Sequence, residues 1–189
     1  SNTVTQSYMW GSTRGAWLNI GGDFNTISRS TMIGNVNYGL QAVGVASNTI
    51  TQSYMQGGLI GVYLNGSTST VISLSTMASD SAGNSALYIL QSSSNTILNS
   101  LVQGSTAAVV SGSTGTVFGG MVFVATNTAG SALALVGGSV NLSITTSTLQ
   151  SLSSGRGLYL DSDNAGVVSL SSVIFTGAAC GLEIAAQRA

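Results

Sequence analysis

The most informative pattern in the chain is a set of apolar positions that recur at intervals of about 23 residues. The opening stretch SNTVTQSYMWG returns at residues 47–57 as SNTITQSYMQG, with nine of eleven positions identical and an offset of 46 residues. The apolar residue that closes SNTV and SNTI serves as an anchor, and equivalent anchors are Val4, Ile27, Ile50, Ile72, Ile97, Val117, Ile144 and Val168. Eight repeats therefore cover nearly the whole chain.

Three further columns keep step with these anchors. Three residues after the anchors come mostly serines, Ser7, Ser30, Ser53, Ser75, Ser100, Gly120, Ser147 and Ser171. Five residues after them come apolar residues, Met9, Met32, Met55, Met77, Val102, Val122, Leu149 and Val173. Two residues before them come Asn2, Asn25, Asn48, Thr70, Asn95, Gly115, Leu142 and Gly166, so this third column changes character in the second half.

Each repeat also carries a short apolar-x-apolar segment, and such alternation over few residues indicates a strand. These segments are Leu18/Ile20, Leu40/Ala42, Val62/Leu64, Leu87/Ile89, Ala107/Val109, Leu133/Leu135, Leu158/Leu160 and Leu182/Ile184. Clusters of Gly, Asn and Ser, which favour turns, separate them. No stretch has helical periodicity, so the sequence predicts about three short strands in each repeat.

A single repeat cannot bury its apolar residues, but successive repeats can do so by stacking as coils about 4.8 Å apart. The sequence therefore predicts an all-β fold, a single-stranded parallel β-helix (solenoid) of about eight coils and about 23 residues per coil, forming one domain over residues 1–189. The methionine column is expected inside the solenoid. The serine column is expected at a corner between two strands, where a hydroxyl can bond the local backbone, and stacked Ser and Asn side chains are expected to form ladders along the rod.

The repeat also resembles a known family. Asn48-Thr49-Ile50 with Ser53 and Met55, followed by Gly61-Val62-Tyr63-Leu64, and later Gly157-Leu158-Tyr159-Leu160, resemble the right-handed parallel β-helix repeats of the pectin-lyase-like superfamily. This resemblance implies a right-handed solenoid along the whole chain. It leaves function open, because that fold hosts lyases, hydrolases, epimerases, phage tailspikes and adhesins.

Composition removes several classes of function. Charged residues make up 5% of the chain, against a typical value of roughly 25%. The net charge of −1 gives no electrostatic footprint for nucleic acid, and no apolar run has the length of a membrane-spanning helix. His and Lys are absent, so a Ser-His-Asp site and a His/Cys metal site are excluded. The sequence predicts no cofactor and no catalytic residue.

One acidic cluster remains as candidate chemistry. Asp161 and Asp163 flank Ser162, and Arg156 lies five residues before Asp161. Two carboxylates beside an arginine can act as acid and base in glycoside cleavage, and they can also hold Ca²⁺ through oxygen ligands. The alternative is a solvated turn, because Asp and Asn suit turns. Composition favours the turn.

Outward aromatic residues are the second candidate. Tyr63, Tyr88 and Tyr159 occupy the middle position of the apolar-x-apolar segment, and the first two lie on adjacent coils. Such rings can contact sugars or another protein, or they can simply pair across strands. A separate run of hydroxyl residues, Thr5, Ser28, Thr51 and Ser73, raises ice binding as a minor alternative.

These observations favour a non-catalytic, structural or adhesive segment of an extracellular fibre or cell-surface protein. The chain opens directly on a repeat, which indicates a segment of a longer repetitive protein or a stacking filament subunit. Uncapped solenoid ends expose strand edges, so we expect head-to-tail self-association or further coils of the same chain. A carbohydrate-binding or polysaccharide-cleaving β-helix is the competing hypothesis, with polysaccharide as the possible contact.

Overall fold

A computed structural model describes residues 1–127, 129–152, 154–164, 166–177 and 179–185. Within these residues the chain forms 24 short strands and no helix. Each coil contributes one strand to each of three parallel sheets, and each sheet contains eight strands. The structure therefore confirms the all-β parallel solenoid predicted from the repeat.

The first sheet holds the anchor strands. They are β1 (Thr3–Thr5), β4 (Thr26–Ser28), β7 (Thr49–Thr51), β10 (Val71–Ser73), β13 (Thr96–Leu98), β16 (Val117–Gly119), β19 (Leu142–Thr145) and β22 (Val168–Ser171). The second sheet holds β2 (Tyr8–Gly11), β5 (Thr31–Gly34), β8 (Tyr54–Gly57), β11 (Thr76–Ser79), β14 (Leu101–Gly104), β17 (Val122–Ala125), β20 (Thr148–Ser151) and β23 (Ile174–Thr176).

The third sheet holds the longer, alternating strands. They are β3 (Arg14–Leu18), β6 (Tyr38–Val43), β9 (Ile60–Asn65), β12 (Ser85–Leu90), β15 (Thr106–Ser111), β18 (Ser131–Val136), β21 (Arg156–Leu160) and β24 (Cys180–Ile184). Coil 1 is β1–β3 and coil 8 is β22–β24. Strands pair only with their equivalents in neighbouring coils, so like residues lie one above another.

The core is the space enclosed by the three sheets. Met32, Met55 and Met77 are fully buried and directly paired along the second sheet, as the methionine column predicts. Met9, in coil 1, is paired with Met32 and is partly buried at the open end of the core. Flexible methionine side chains can fill the irregular space between three converging sheets.

A corner between the first and second sheets imposes an unusual backbone at one position in every coil. The residues there have φ between 48° and 63°, and they are Gln6, Arg29, Gln52, Leu74, Asn99, Gly120, Thr146 and Ser172. A left-handed residue at this point turns the chain, which lets the residues on either side of the bend both face the core. The cost is about 1–2 kcal/mol for a residue other than Gly or Asn, and it recurs because the stacked coils require the same bend.

The register expected for coils 6 and 8 is wrong in the first sheet, whereas Ile144 of coil 7 lies in the anchor column as expected. Phe118 pairs with Ile97 and Ile144, and Leu170 pairs with Ile144, so Phe118 and Leu170 occupy the anchor column in place of Val117 and Val168. Neighbouring apolar residues, such as Val117 and Phe118, hide which one faces inward. The shift of one residue in coil 6 moves every side chain to the opposite face of the strand, whereas the shift in coil 8 is two residues and keeps the face.

The same shift affects the second sheet and the serine column. Phe123 and Phe175 lie in the methionine column instead of Val122 and Val173. Ser171 was expected at the corner, but it pairs with Thr145 inside the first sheet and is exposed. In coil 6 the serine column is occupied by Met121 and not by Gly120, because the Met121 N–H donates to Ser147 Oγ as the serines of other coils do.

Candidate functional site

The asparagine ladder is a buried hydrogen-bonded structure. Asn25 donates from its backbone N–H to Asn48 Oδ1 at 2.8 Å and from its side-chain amide to the same oxygen at 3.1 Å. Asn2 makes the equivalent two bonds to Asn25 Oδ1, and the Thr70 N–H donates to Asn95 Oδ1 at 2.9 Å. Each side chain therefore satisfies the backbone of the preceding coil, which is a structural role.

The serine ladder works in the same direction. The N–H groups of Ser7, Ser30, Ser53 and Ser75 donate to the hydroxyls of the next coil at 3.1–3.2 Å, and the last acceptor in this run is Ser100. Each hydroxyl donates in turn to the carbonyl two residues before it, for example Ser53 Oγ to Thr51 O at 2.8 Å. Ser147 Oγ likewise donates to Thr145 O at 2.7 Å.

Sequence reasoning missed a second serine ladder, at the corner that follows the third sheet. The N–H of Ser67 donates to Ser92 Oγ, that of Ser92 to Ser113 Oγ, and that of Ser113 to Ser139 Oγ, at 3.0–3.3 Å. These four serines are nearly or fully buried. The signal in the sequence is a serine two residues after the ends of β9, β12 and β15 and three residues after the end of β18, and variable loop lengths obscure it.

Tyr63 and Tyr88 lie next to each other on the outer face of the third sheet, and Tyr38 extends the row. Ring centroids are 5.2 Å apart for Tyr38 and Tyr63 and 5.7 Å apart for Tyr63 and Tyr88, with both pairs inclined by 15°. Burial, followed by the electrostatic effect of Tyr38 and Tyr88, raises the pKa of Tyr63. Both faces of the Tyr63 ring are therefore covered by tyrosines, which leaves its edge and hydroxyl for contact with a ligand.

Tyr159 lies in the same outward column but far along the rod, so the structure does not bring it to the other two tyrosines. The column reads Trp17, Gln41, Tyr63, Tyr88, Val109, Ala134, Tyr159 and Glu183, in which Trp17 and Val109 replace the expected Asn19 and Ala108. The Arg156 guanidinium lies 5.0 Å from the Tyr159 ring centroid and donates to the Glu183 carboxylate. In coil 1, Arg14 lies 4.7 Å from the Trp17 ring and donates to Gln41 in the same way.

Asp161 and Asp163 form a turn that is closed by its own hydrogen bonds. Asp161 Oδ2 accepts from the Gly137 N–H of the preceding coil at 2.9 Å, and its Oδ1 accepts from the Asp163 N–H at 3.2 Å. In the described part of the chain, no three His, Cys, Asp or Glu residues are grouped so as to hold a metal ion. The arrangement is that of a solvated turn, and the Ca²⁺ assignment stays a prediction.

The other acidic side chains also have structural partners. Asp23 Oδ1 accepts from the Ala46 N–H at 2.7 Å, Asp80 accepts from the Gln56 amide, and Glu183 pairs with Arg156. The hydroxyl run proposed for ice binding is also partly engaged, because Ser28 donates to Thr5 and Ser73 donates to Thr51, each at 3.1 Å. Leu98 and Gly119 interrupt that column in coils 5 and 6, before Thr145 and Ser171 resume it, so the hydroxyls form no continuous array.

Comparison with solved structures identifies the fold. The chain superimposes on the A-module of mannuronan C-5 epimerase AlgE4 from Azotobacter vinelandii with a TM-score of 0.66 and 12% sequence identity. The match covers 96% of this chain and 55% of that module, so the chain spans about half the length of its structural neighbour. The expected pectin-lyase-like, right-handed β-helix fold is thereby confirmed.

Comparisons at the level of sequence add no family. No protein-family model matches the chain. No curated protein matches it either. Among the described residues, no helix is long and apolar enough to cross a membrane.

Proposed function

We propose that the chain is a non-catalytic, structural or adhesive segment of an extracellular fibre or cell-surface protein, in which coils continue end to end. The observation that carries this proposal is the common direction of the ladders. In each corner ladder, a backbone N–H of one coil donates to a side-chain oxygen of the next. The first coil thus presents acceptors to any preceding coil, and the last coil presents donors to any following one.

Polar groups without a partner in another coil and exposed apolar side chains, both at the two ends of the solenoid, support the proposal. In coil 1, Asn2 Oδ1 and Ser7 Oγ accept no hydrogen bond from another coil in the described part of the chain. In coil 8, the Val173 N–H has no acceptor within the same residues. Apolar side chains are also exposed at the ends, including Ile20 at 81% in coil 1 and Ile184 at 70% in coil 8. A strand edge with these features favours pairing with another coil. That coil is supplied by a longer polypeptide or by a second copy of this chain.

Electron microscopy and sedimentation of the purified chain test end-to-end association. We expect rods whose length increases with protein concentration, because a head-to-tail contact that does not close generates a filament. Ile184→Asp, which places a charge where the next coil would stack, should yield single units. The matched control is Ile174→Asp, since Ile174 is 61% exposed in the same coil but faces outward from the second sheet. Dispersed monomers of the unaltered chain at high concentration would contradict the proposal.

A second candidate is a polysaccharide-binding or polysaccharide-cleaving β-helix. The name of the structural neighbour, an epimerase of mannuronan, favours considering it. Incubation with uronate and neutral polysaccharides separates the two candidates by product formation. Turnover that is lost in Asp161→Ala would overturn the structural proposal, whereas the absence of any product agrees with it.

A further inference from the structure

A second aromatic surface lies on the outer face of the second sheet, and its rings have uncovered faces. Tyr8, Trp10 and Tyr54 are 68%, 61% and 36% exposed. Tyr8 pairs in register with Thr31, and Thr31 pairs with Tyr54, so the two tyrosines are two coils apart with a threonine between them. This separation of about 10 Å keeps the rings from stacking on each other. We call Tyr8, Trp10 and Tyr54 the aromatic platform.

The aromatic platform leaves ring faces accessible, whereas the tyrosine row of the third sheet covers the faces of its central ring. In that row the faces of Tyr63 are covered on both sides by Tyr38 and Tyr88. Among the described residues, no aromatic ring stacks on Tyr8 or Tyr54. An uncovered ring presents a flat, apolar, electron-rich face, which suits the C–H face of a sugar ring.

Polar side chains surround the rings at the positions where sugar hydroxyls would lie. The Tyr54 hydroxyl donates to Gln56 Oε1 at 2.8 Å, and the Gln56 amide donates to the Asp80 carboxylate. A groove beside Tyr54 is lined by Arg29, Thr31, Gln52, Ser53, Leu74 and Thr76, among others. Hydroxyl, amide and carboxylate groups supply both donors and acceptors, which is what a polyhydroxylated ligand requires.

The charges on this face favour a neutral ligand. Arg29 is exposed at one edge and makes no side-chain ion pair within the described residues, while Asp80 lies at the other edge beside Gln56. One cation and one anion leave no net charge to attract a polyanion. The chain as a whole also has a net charge of only −1.

Size argues against a protein partner on the same surface. An aromatic side chain contributes roughly 150–250 Å², so three rings with these exposed fractions offer on the order of 250–400 Å². A stable protein interface requires about 800 Å² on each partner. The platform is therefore small for a second copy of the chain, and it matches a ligand only a few sugar rings long.

We infer that the aromatic platform, Tyr8, Trp10 and Tyr54, binds a neutral polysaccharide, with the rings stacking on sugar faces and the neighbouring Thr, Gln and Asp side chains bonding its hydroxyls. This inference rests on the proposed adhesive role and gives it a ligand class. The platform lies on the flank of the rod and not at its ends, so binding and end-to-end association are separable.

Tryptophan fluorescence tests the inference directly, in the non-assembling Ile184→Asp background. Trp10 and Trp17 are the only two tryptophans, and Trp17→Phe leaves Trp10 as the reporter. The probes are soluble oligosaccharides of cellulose, chitin and mannan, with polygalacturonate as the charged comparison. We expect a saturable change in Trp10 emission with at least one neutral probe. Tyr54→Ala should weaken it about three- to tenfold, and Tyr63→Ala should leave it within twofold, as the matched control.

Native electrophoresis through gels that contain each polysaccharide gives a second readout, which does not depend on Trp10. Retardation should be lost in Trp10→Ala and kept in Trp17→Ala. Absence of binding to every neutral probe, with rods still formed by the unaltered chain, would overturn this inference and leave the structural proposal standing. Binding to polygalacturonate alone, abolished by Arg29→Ala, would also overturn it. So would concentration-dependent dimers of the Ile184→Asp protein that disappear in Trp10→Ala.

Discussion

In coils 2, 3 and 5 the column before the anchor holds a buried asparagine, whereas in coils 7 and 8 the same column holds Leu142 and Val168. The asparagines fix one coil on the next through directional hydrogen bonds. Leu142 is equally buried, yet its side chain offers no such bond. The two halves thus have the same backbone path with different means of holding its register.

The core changes at the same point in the chain. Coils 2 to 4 stack Met32, Met55 and Met77, and coil 6 introduces Phe118 and Phe123, whose rings meet edge to face at 5.3 Å and 84°. Methionine adapts to irregular space, while two packed rings define a shape. The asparagine ladder therefore holds the register of the first half, whereas the second half combines packed rings with the remaining serine contacts.

The largest expected effect follows from that difference in the core. Phe118→Ala should destabilise the protein by about 3–5 kcal/mol, because a fully buried ring leaves a cavity. Met55→Leu should cost less than about 1.5 kcal/mol, since it keeps volume and apolar character. Urea denaturation measures both. Hydrogen exchange should show faster opening around coils 6 and 7 than around coils 2 and 3 in Phe118→Ala. Equal costs for the two substitutions would remove the distinction between the halves.

A loss in the polar half should be smaller. Asn48 is completely buried, and its Oδ1 accepts two bonds from Asn25. Asn48→Ala leaves these donors without an acceptor, so we expect a loss of about 1–3 kcal/mol in unfolding free energy. The control is Asn2→Ala, at the exposed beginning of the same ladder, which should cost little. Similar losses of unfolding free energy from both substitutions would show that the hydrogen bonds of the ladder contribute no more in the interior than at its exposed end.

The same contrast explains how much the sequence could predict. In coils 1 to 3, Asn, Ser and Met mark three separate positions, and coils 4 and 5 each keep two of the three, so these columns fix the register of the first two sheets. In coils 6 to 8, adjacent apolar pairs such as Val122-Phe123 offer two equivalent choices, and the coil lengths change. The anchors are 21 residues apart from Ile97 to Phe118 and 26 from Phe118 to Ile144. The fold was therefore predictable along the whole chain, while the inward side chains were predictable mainly in the first half.

Surface features were less accessible to sequence reasoning. The position of Tyr63 beside Tyr88 follows from the repeat, but the third ring of the row, Tyr38, lies in a different register column, three residues before Gln41. The direction of its side chain brings the ring to Tyr63, and aligned sequence positions do not specify that direction. Tyr8, Thr31 and Tyr54 alternate at equivalent positions of coils 1 to 3, but the repeat alone does not show that the tyrosine ring faces are uncovered.

An asparagine at the coil 4 position of the asparagine ladder should modestly increase the unfolding free energy. Thr70 occupies an asparagine position, and its buried Oγ1 has no hydrogen-bond partner. Thr70→Asn would place an amide oxygen toward the Asn48 N–H, as Asn48 does for Asn25. We expect about 1 kcal/mol of added stability in urea denaturation. Thr70→Val is the control, because it removes the unpaired hydroxyl without adding an acceptor. If Val stabilises as much as Asn, relief of the orphan hydroxyl is responsible and the ladder is not.

The smallest expected effect is a pH dependence centred on the tyrosine row of the first half. Burial, and then the charges of Tyr38 and Tyr88, raise the pKa of Tyr63 above its ordinary value of 10.0. The folded protein therefore holds this proton more tightly than the unfolded chain. The resulting stability is complete below pH 10.0 and is lost as the pH rises through and beyond that value. Thermal melts of the protein and of Tyr63→Phe should differ by a constant offset near neutral pH, and the variant should lose less stability in alkaline buffer. The tyrosine row ends after Tyr88, where Val109 and Ala134 follow in the same column. Hydrogen exchange in alkaline buffer should therefore show opening that begins around coils 2 to 4. Opening that begins in coils 6 to 8 would assign the alkaline loss of stability to other groups.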